Sequence, residues 1–247
     1  GADVQAAGQD GATALMHAAQ GGYVDVAKLL LENGARVRAA RQDGTTALMD
    51  AAEFGHVHVC KLLLENGADA REAMPDGTTA LMAAAANGHV DVCKLLLQRG
   101  VDAKAAMQDG ATALMHAAED GHVDGSKLLL EYGADVQAAM KDGTTALMAA
   151  AQNGHVDVSK LLLENGADVQ AARQDGNARK GGSTALILAA HGGHVDVSKL
   201  LLENGADVQA ADQDGATALM CAAICGHVDV CKLLLENGAT VPMCRQP

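Results

Sequence analysis

Three cysteines and a histidine stand close together near the end of the chain, in the stretch CAAICGHVDVC. Thiolates and imidazoles are the side chains that bind zinc, so this stretch could form a metal site. The position of the last cysteine, however, recurs along the chain as alanine, cysteine or serine, which indicates a place for any small residue. We therefore expect no metal and no cofactor, with a zinc site or an oxidisable Cys221–Cys225 pair as the alternatives. The four residues are Cys221, Cys225, His227 and Cys231.

Histidine and aspartate also recur at regular positions, and a ladder of either could suggest a row of metal sites. The interval is that of a sequence repeat, which would place successive histidines about one packed layer, roughly 10 Å, apart. Ligands of one zinc ion lie about 2 Å from it, so we expect the histidines to be structural. The aspartates open predicted helices, where a negative charge stabilises the helix dipole. The histidines are His56, His89, His122, His155, His194 and His227, and the aspartates are Asp25, Asp91, Asp124, Asp157, Asp196 and Asp229.

The remaining residues do not form a pattern that indicates catalysis. No Ser-His-Asp arrangement, phosphate-binding glycine loop or pair of carboxylates in a cleft stands out against the repeat, so we predict that the protein is not an enzyme. A net charge of −13 opposes binding to nucleic acid and to anionic membrane surfaces. No apolar run approaches the length of a membrane span. Six scattered cysteines and no signal segment predict an intracellular protein, cytoplasmic or nuclear.

The elements that position these residues follow from a repeat. Asp-Gly followed by Thr-Ala-Leu occurs seven times, at intervals of 33 residues and finally of 39. A fixed period of this length indicates stacked supersecondary units, and we expect one domain over residues 1–247. Its repeats are predicted at 10–42, 43–75, 76–108, 109–141, 142–174, 175–213 and 214–247, after the tail of a preceding unit at 1–9.

Each repeat has the pattern of two helices and a turn, as in DGTTALMAAAQNGHVDVSKLLLENGADVQAARQ from Asp142. Asp-Gly suits a tight hairpin turn because glycine tolerates a positive φ. Thr145 is a natural N-cap for a short first helix, which Gly154 ends. A second helix with a face of valine and leucine ends at Asn165-Gly166. A unit this small cannot bury its own apolar face, so stacking between repeats must form the core.

This pattern resembles the ankyrin repeat family in its period, in TALM.AA and in GHVDV.KLLLENGADV. The resemblance covers nearly the whole chain and implies an all-α solenoid of seven helix-turn-helix units joined by short β-hairpin fingers. It also implies that the histidine of each GHV makes local loop hydrogen bonds. The chain departs from the family's Thr-Pro-Leu-His, because alanine replaces the proline and methionine or isoleucine replaces the histidine. Since methionine cannot replace the histidine's hydrogen bonds, we expect its thioether to be buried instead.

Positions that differ among the seven copies are free of the demands of stacking. In ankyrin-like stacks these positions face a concave groove formed by the fingers and the first helices. We expect a protein or peptide partner to bind there, because methionine and phenylalanine would supply apolar anchors within a polar rim. The alternative is that these positions vary by sequence drift on a surface without a function. The predicted partner-binding residues are Arg41, Asp50, Glu53, Phe54, Met74, Met107, His116, Glu119, Asp120, Met140, Lys141 and Asn153.

One repeat carries an insertion, NARKGG, directly after Asp175-Gly176. We expect it to lengthen one finger without disturbing the helices, and to place Asn177, Arg179 and Lys180 on a basic tip. A neutral insertion without a function is the alternative.

The sequence thus predicts a non-catalytic protein-interaction module that is part of a longer repeat protein. Neither the first nor the last repeat has the polar outer face that usually closes a solenoid. The alternative hypothesis is a self-associating structural array, joined through its uncapped end repeats.

Overall fold

The computed structural model describes residues 3–173 and 182–240. Over these residues the chain alternates short first helices with longer second helices, and its only β pairing consists of isolated bridges. The prediction of an all-α repeat fold is therefore confirmed. The helices are α1 (Ala14–Gln20), α2 (Val24–Glu32), α3 (Ala47–Glu53), α4 (Val57–Glu65), α5 (Ala80–Ala86), α6 (Val90–Gln98), α7 (Ala113–Glu119), α8 (Val123–Glu131), α9 (Ala146–Gln152), α10 (Val156–Glu164), α11 (Ala185–Gly192), α12 (Val195–Glu203), α13 (Ala218–Ile224) and α14 (Val228–Glu236).

The helices group into two compact units. The first unit comprises Gly1–Ala117 and Asp124–Asp135, and the second comprises Ala118–Val123 and Val136–Pro247. In the first unit α1, α3 and α5 pack in that order, and each contacts the second helix that follows it. In the second unit α9, α11 and α13 pack in the same way. A single domain over residues 1–247, with the repeat boundaries given above, stays a prediction.

First helices begin at a threonine, as the sequence predicts. Thr145 Oγ1 accepts a hydrogen bond from the backbone N–H of Met148 at 3.4 Å, which satisfies one of the free donors at the helix start. An N-cap of this kind contributes about 1 kcal/mol to helix stability. The same bond is made at Thr13, Thr46, Thr79, Thr112, Thr184 and Thr217.

Second helices end in the asparagine-glycine pair that the sequence predicts. Gly166 adopts a φ of 87°, and its N–H donates to Leu163 O while the Ala167 N–H reaches Leu162 O. This is the double bond pattern of a Schellman cap, which needs a left-handed residue and therefore favours glycine. The side chain of Asn165 adds a bond from Nδ2 to Leu161 O at 2.8 Å. These contacts fix where the chain leaves the helix.

Most of the core consists of leucine, alanine, methionine and valine from the helices. The methionine that replaces the family's histidine is at most 5% exposed in the first five repeats, and so is Ile187 in the sixth. Burial of the thioether is thus confirmed for these repeats. The expectation that methionine makes no hydrogen bond with the threonine is wrong at Met16, whose Sδ lies 3.4 Å from the backbone N of Thr13. Sulfur is a weak acceptor, so packing is the larger contribution of these side chains.

A short finger precedes each first helix and is closed by a single antiparallel bridge between an alanine and the N-cap threonine. The glycine after the turn aspartate takes a positive φ, as at Gly44 with 91°. Each hairpin is therefore only one bridge long. Fingers 1 to 7 span residues 7–13, 40–46, 73–79, 106–112, 139–145, 172–184 and 211–217.

Histidines of the GHV motif join neighbouring repeats. His89 Nε2 donates to the carbonyl oxygen of Glu53, the last residue of α3, at 2.9 Å. The implied local loop bond is thus corrected, since the bond crosses to the preceding repeat. The same bond joins His56 to Gln20, His155 to Glu119, His194 to Gln152 and His227 to His191.

A second bond between repeats starts at the residue after the GADV segment. In the first unit Arg38 Nε donates to Gly67 O at 2.8 Å, where the next second helix ends. In the second unit Gln170 Nε2 donates to Gly205 O at 2.7 Å, and its Oε1 accepts from the Asp207 N–H at 3.3 Å. Both side chains thus bind the backbone at the end of the following second helix.

Replacing His89 with alanine should lower the free energy of unfolding by about 1 kcal/mol, because the Glu53 carbonyl loses its partner. His58→Ala is the matched control, since His58 is an exposed histidine of the neighbouring second helix. Urea denaturation of both variants measures the difference. Equal stability of the two variants would contradict a structural role for this bond.

Candidate functional site

Finger 2 is fixed to α3 by an ion pair between two of the predicted site residues. Arg41 Nη1 donates to Asp50 Oδ1 at 2.9 Å, and Nη2 lies 2.9 Å from Oδ2. The Asp50 side chain is only 3% exposed, and its burial raises the pKa of the carboxyl, an effect that the Arg41 charge opposes. Removing either partner would leave the other charge uncompensated. The pair therefore holds the finger against the helix.

Hydrogen bonds also join fingers to one another in the first unit. Gln42 of finger 2 donates from its backbone N–H to Asp10 O at 3.0 Å and from its side chain to Gln9 O at 2.8 Å. Gln108 of finger 4 makes the same two bonds to finger 3, at 2.7 and 2.6 Å. The equivalent residue of finger 3 is Pro75, which has neither a backbone N–H nor an amide side chain. Fingers 2 and 3 therefore lack both bonds.

A cavity of about 290 Å³ lies between repeats two and three, beside these two fingers. Methionines and alanine supply its apolar wall, and Glu53 and Asn87 supply polar groups. The lining residues are Thr45, Met49, Glu53, Met74, Thr78, Thr79, Ala83 and Asn87. Of the predicted site residues, the structure thus brings Glu53 and Met74 together around one cavity.

Other predicted residues of the first unit lie outside the cavity lining. Phe54 ends α3 with 45% of its surface exposed, and its ring stacks on that of His56 with centroids 6.4 Å apart. Met107 on finger 4 and His116 on α7 are half-buried. The expected exposed methionines are thus partly covered, whereas the expected exposed phenylalanine is found.

The remaining predicted residues belong to the second unit. Glu119, the last residue of α7, and Asp120, which follows it, are exposed. Lys141 is exposed beside the half-buried Met140 on finger 5. Asn153 has a structural bond, since its Nδ2 donates to Ala149 O at 3.1 Å at the end of α9.

Finger 6, the finger that carries the insertion, has the same base as the other fingers. Ala172 and Thr184 form the usual bridge, and the Arg173 N–H donates to Ser183 O at 3.1 Å, as the Arg41 N–H does to Thr45 O. The predicted residues of the extended finger, Asn177, Arg179 and Lys180, lie outside the described residues.

Sequence reasoning missed Pro75 and the cavity. The signal for the proline was visible, because MPDG stands where other repeats have RQDG or MQDG. The cavity had no such signal, since its lining comes from two fingers and two helices.

The cysteines differ in their surroundings. Cys60 and Cys93 are buried in second helices, and burial raises the pKa of each thiol to about 12. Burial also raises the pKa of Cys221, whereas Cys225 is exposed with its Sγ 3.5 Å from His191 Nδ1. Within residues 3–173 and 182–240, no cluster of three or more His, Cys, Asp or Glu side chains could hold a metal ion. The same residues include no helix with the length and apolar character that crossing a bilayer requires.

Alkylation of the folded protein with iodoacetamide should modify Cys225 well before Cys60 and Cys93, because only an exposed thiol can reach the reagent and buried thiols stay protonated. Peptide mass spectrometry at successive times measures the order, and the same reaction in urea provides the control in which all thiols react. Labelling of Cys60 as fast as Cys225 in the folded protein would contradict the burial of Cys60 in α4.

Comparison with known proteins agrees with this geometry. The family model described as ankyrin repeats (3 copies) matches residues 1–74, 38–106, 66–140, 100–173 and 171–243. A crystal structure of the human ASB11 ankyrin repeat domain superposes with a TM-score of 0.83 at 28% identity, over 93% of this chain and 100% of that chain. A search of the curated proteins found no match. Since the family matches extend over nearly the whole sequence, the chain belongs to the ankyrin repeat family.

Proposed function

We propose that the protein is a non-catalytic interaction module that binds a protein or peptide partner on its fingers and first helices. Ankyrin repeats are general protein–protein interaction modules. The observation that carries the proposal for this chain is the surface around α3 in the first unit. There an exposed phenylalanine stands next to Glu53, which lines the cavity between two fingers. An aromatic anchor beside a pocket is typical of residues that dominate binding energy.

The ion pair of Arg41 with Asp50 supports this surface indirectly. It fixes finger 2 against α3, so a partner would meet a preformed face and would not have to order it. We propose that Arg41 and Asp50 shape the binding surface, while Glu53, Phe54 and Met74 contact the partner. Met107 and His116 extend the proposed contact surface of the first unit.

The chemistry of the chain supports a protein partner over a nucleic acid. With a net charge of −13, the protein would repel a phosphate backbone. The five cysteines in the described part of the chain are free thiols, which is typical of a reducing compartment. We therefore propose an intracellular location, in the cytoplasm or the nucleus.

Phe54→Asp combined with Met107→Asp should abolish partner binding, because each change places a charge where an apolar anchor is required. Tyr132→Asp is the matched control, since Tyr132 has a similar exposure of 43% but lies at the end of the second helix α8. Partners captured from cell extract by the whole chain are identified by mass spectrometry and compared among the variants. Circular dichroism first establishes that all variants are folded. Capture that is unchanged in the double variant would refute the proposed surface.

A second candidate function, self-association, rests on the exposed apolar face of α2. Val26 is 48% exposed and Leu29 is 60% exposed, whereas Val59, which matches Val26 in the next repeat, is fully buried. Single exposed apolar residues are ordinary, but neighbours on one helix face can form a contact with another chain.

Light scattering after size exclusion, at several protein concentrations, tests this second candidate. Self-association through α2 predicts an oligomer that resists dilution and becomes a monomer on Val26→Lys with Leu29→Lys. A monomer at every concentration would exclude it. Lys28→Glu is a control on the same helix, at a position that is already polar and exposed.

A further inference from the structure

The first unit has one junction between adjacent fingers where the two glutamine bonds are missing, although Thr45 Oγ1 of finger 2 lies 4.0 Å from Met74 Sδ of finger 3. Finger 1 accepts two hydrogen bonds from Gln42, and finger 3 accepts two from Gln108. Finger 2 accepts none from Pro75, so the backbone oxygens of Gln42 and Asp43 have no partner within the described chain. The fingers remain close, because a Cβ added to Gly44 would lie 2.7 Å from the Pro75 ring. The free acceptors therefore precede a residue that lies against the Pro75 ring.

We propose that the cavity beside this contact binds one apolar side chain of a partner peptide that carries a lysine or arginine next to it. This inference rests on the proposed function and specifies which residue types the partner peptide carries.

The size and lining of the cavity favour an apolar anchor. Its volume of about 290 Å³ is near the lower end of the range for ligand pockets, which suits one or two side chains. Met49 and Met74 supply flexible, polarisable walls that adapt to different anchors. Ala83 leaves the space open, since the same position holds Asp50 in the preceding repeat and His116 in the following one.

The charges around the cavity favour a cation next to the anchor. Glu53 is exposed at the rim. Asp43 and Asp76 are exposed on the two flanking fingers, and hydrogen bonds from the backbone N–H groups of Thr45 and Thr78 lower the pKa of these carboxyls. Both aspartates are therefore negative at neutral pH.

The guanidinium of Arg41 on finger 2 is already engaged, because it pairs with Asp50. The backbone oxygens of Gln42 and Asp43 add hydrogen-bond acceptors that have no donor within the described chain. An ammonium or guanidinium group suits this surface, because it can donate hydrogen bonds to the backbone oxygens and neutralise the carboxylates.

The test uses the whole 247-residue chain as bait for a phage-displayed library of random peptides. Enriched peptides are synthesised and their affinities are measured by fluorescence anisotropy at two salt concentrations. We expect a shared motif in which an aliphatic, methionine or aromatic residue has a lysine or arginine within two positions. Raising the salt should weaken binding, because the cation is held by exposed carboxylates.

Three variants locate the binding site. Ala83→Leu should fill the cavity and weaken binding about tenfold or more, equivalent to about 1.4 kcal/mol. Leu188 naturally occupies this position in the sixth repeat, and Ala149→Leu is the matched control in the fifth. Glu53→Gln, an exposed change that leaves the fold intact, should weaken binding several-fold. Pro75→Gln should also weaken it, by supplying a donor that occupies the oxygens of finger 2.

Each result decides between distinct conclusions. A basic-apolar motif whose binding is lost in Ala83→Leu and kept in Ala149→Leu supports the inference. Peptides that lack a basic residue, or that bind Ala83→Leu as well as the unmodified chain, overturn it. If such peptides still depend on Phe54 and Met107, the proposed function stands while this inference fails. The absence of any enriched peptide would overturn this inference, whereas the proposed function is decided separately by the capture experiment with Phe54→Asp and Met107→Asp.

Discussion

Neighbouring repeats within each unit hold one another in place, and the hydrogen bond from the GHV histidine is the clearest example of this constraint. His89 reaches back to the last carbonyl of the preceding first helix. The glycine at that helix end has to be a glycine for two reasons. Gly55 takes a φ of 73°, and a Cβ there would lie 2.5 Å from His89 Nδ1. The glycine and the histidine are therefore required together. Gly55 of one repeat leaves the space that the ring of His89, in the next repeat, occupies.

Because the helices and these bonds hold each stack, the finger positions can vary. The position before the turn aspartate is glutamine where one finger is bonded to the preceding one, as at Gln42 and Gln108. Proline at residue 75 removes both bonds at one junction without changing the helices below. Two backbone acceptors of finger 2 are left without these bonds, and a cavity lies between the same two fingers. A local defect in the repeat thus becomes a candidate recognition site.

Local features of the fold were predictable from the sequence because short-range chemistry decides them. Thr145 caps a helix and Gly166 ends one through contacts within a few residues, and the burial of Met148 follows from the repeat pattern. The site was predictable only in part. The pairing of Arg41 with Asp50 links a finger to a helix nine residues away, and no spacing rule distinguishes it from two exposed charges. Met74 was expected to be exposed, but it is half-buried because packing against the neighbouring repeat covers it.

In the proposed mode of binding, the cavity between fingers 2 and 3 receives an apolar side chain of the partner. Nuclear magnetic resonance of the methionine methyl groups tests it directly, because Met49 and Met74 line the cavity and Met148 does not. A selected basic-apolar peptide is titrated into the whole chain labelled at the methionine methyls. We expect the Met49 and Met74 signals to shift with a common affinity while the Met148 signal stays in place. Shifts that leave Met49 and Met74 unchanged, with binding still detected, would contradict it.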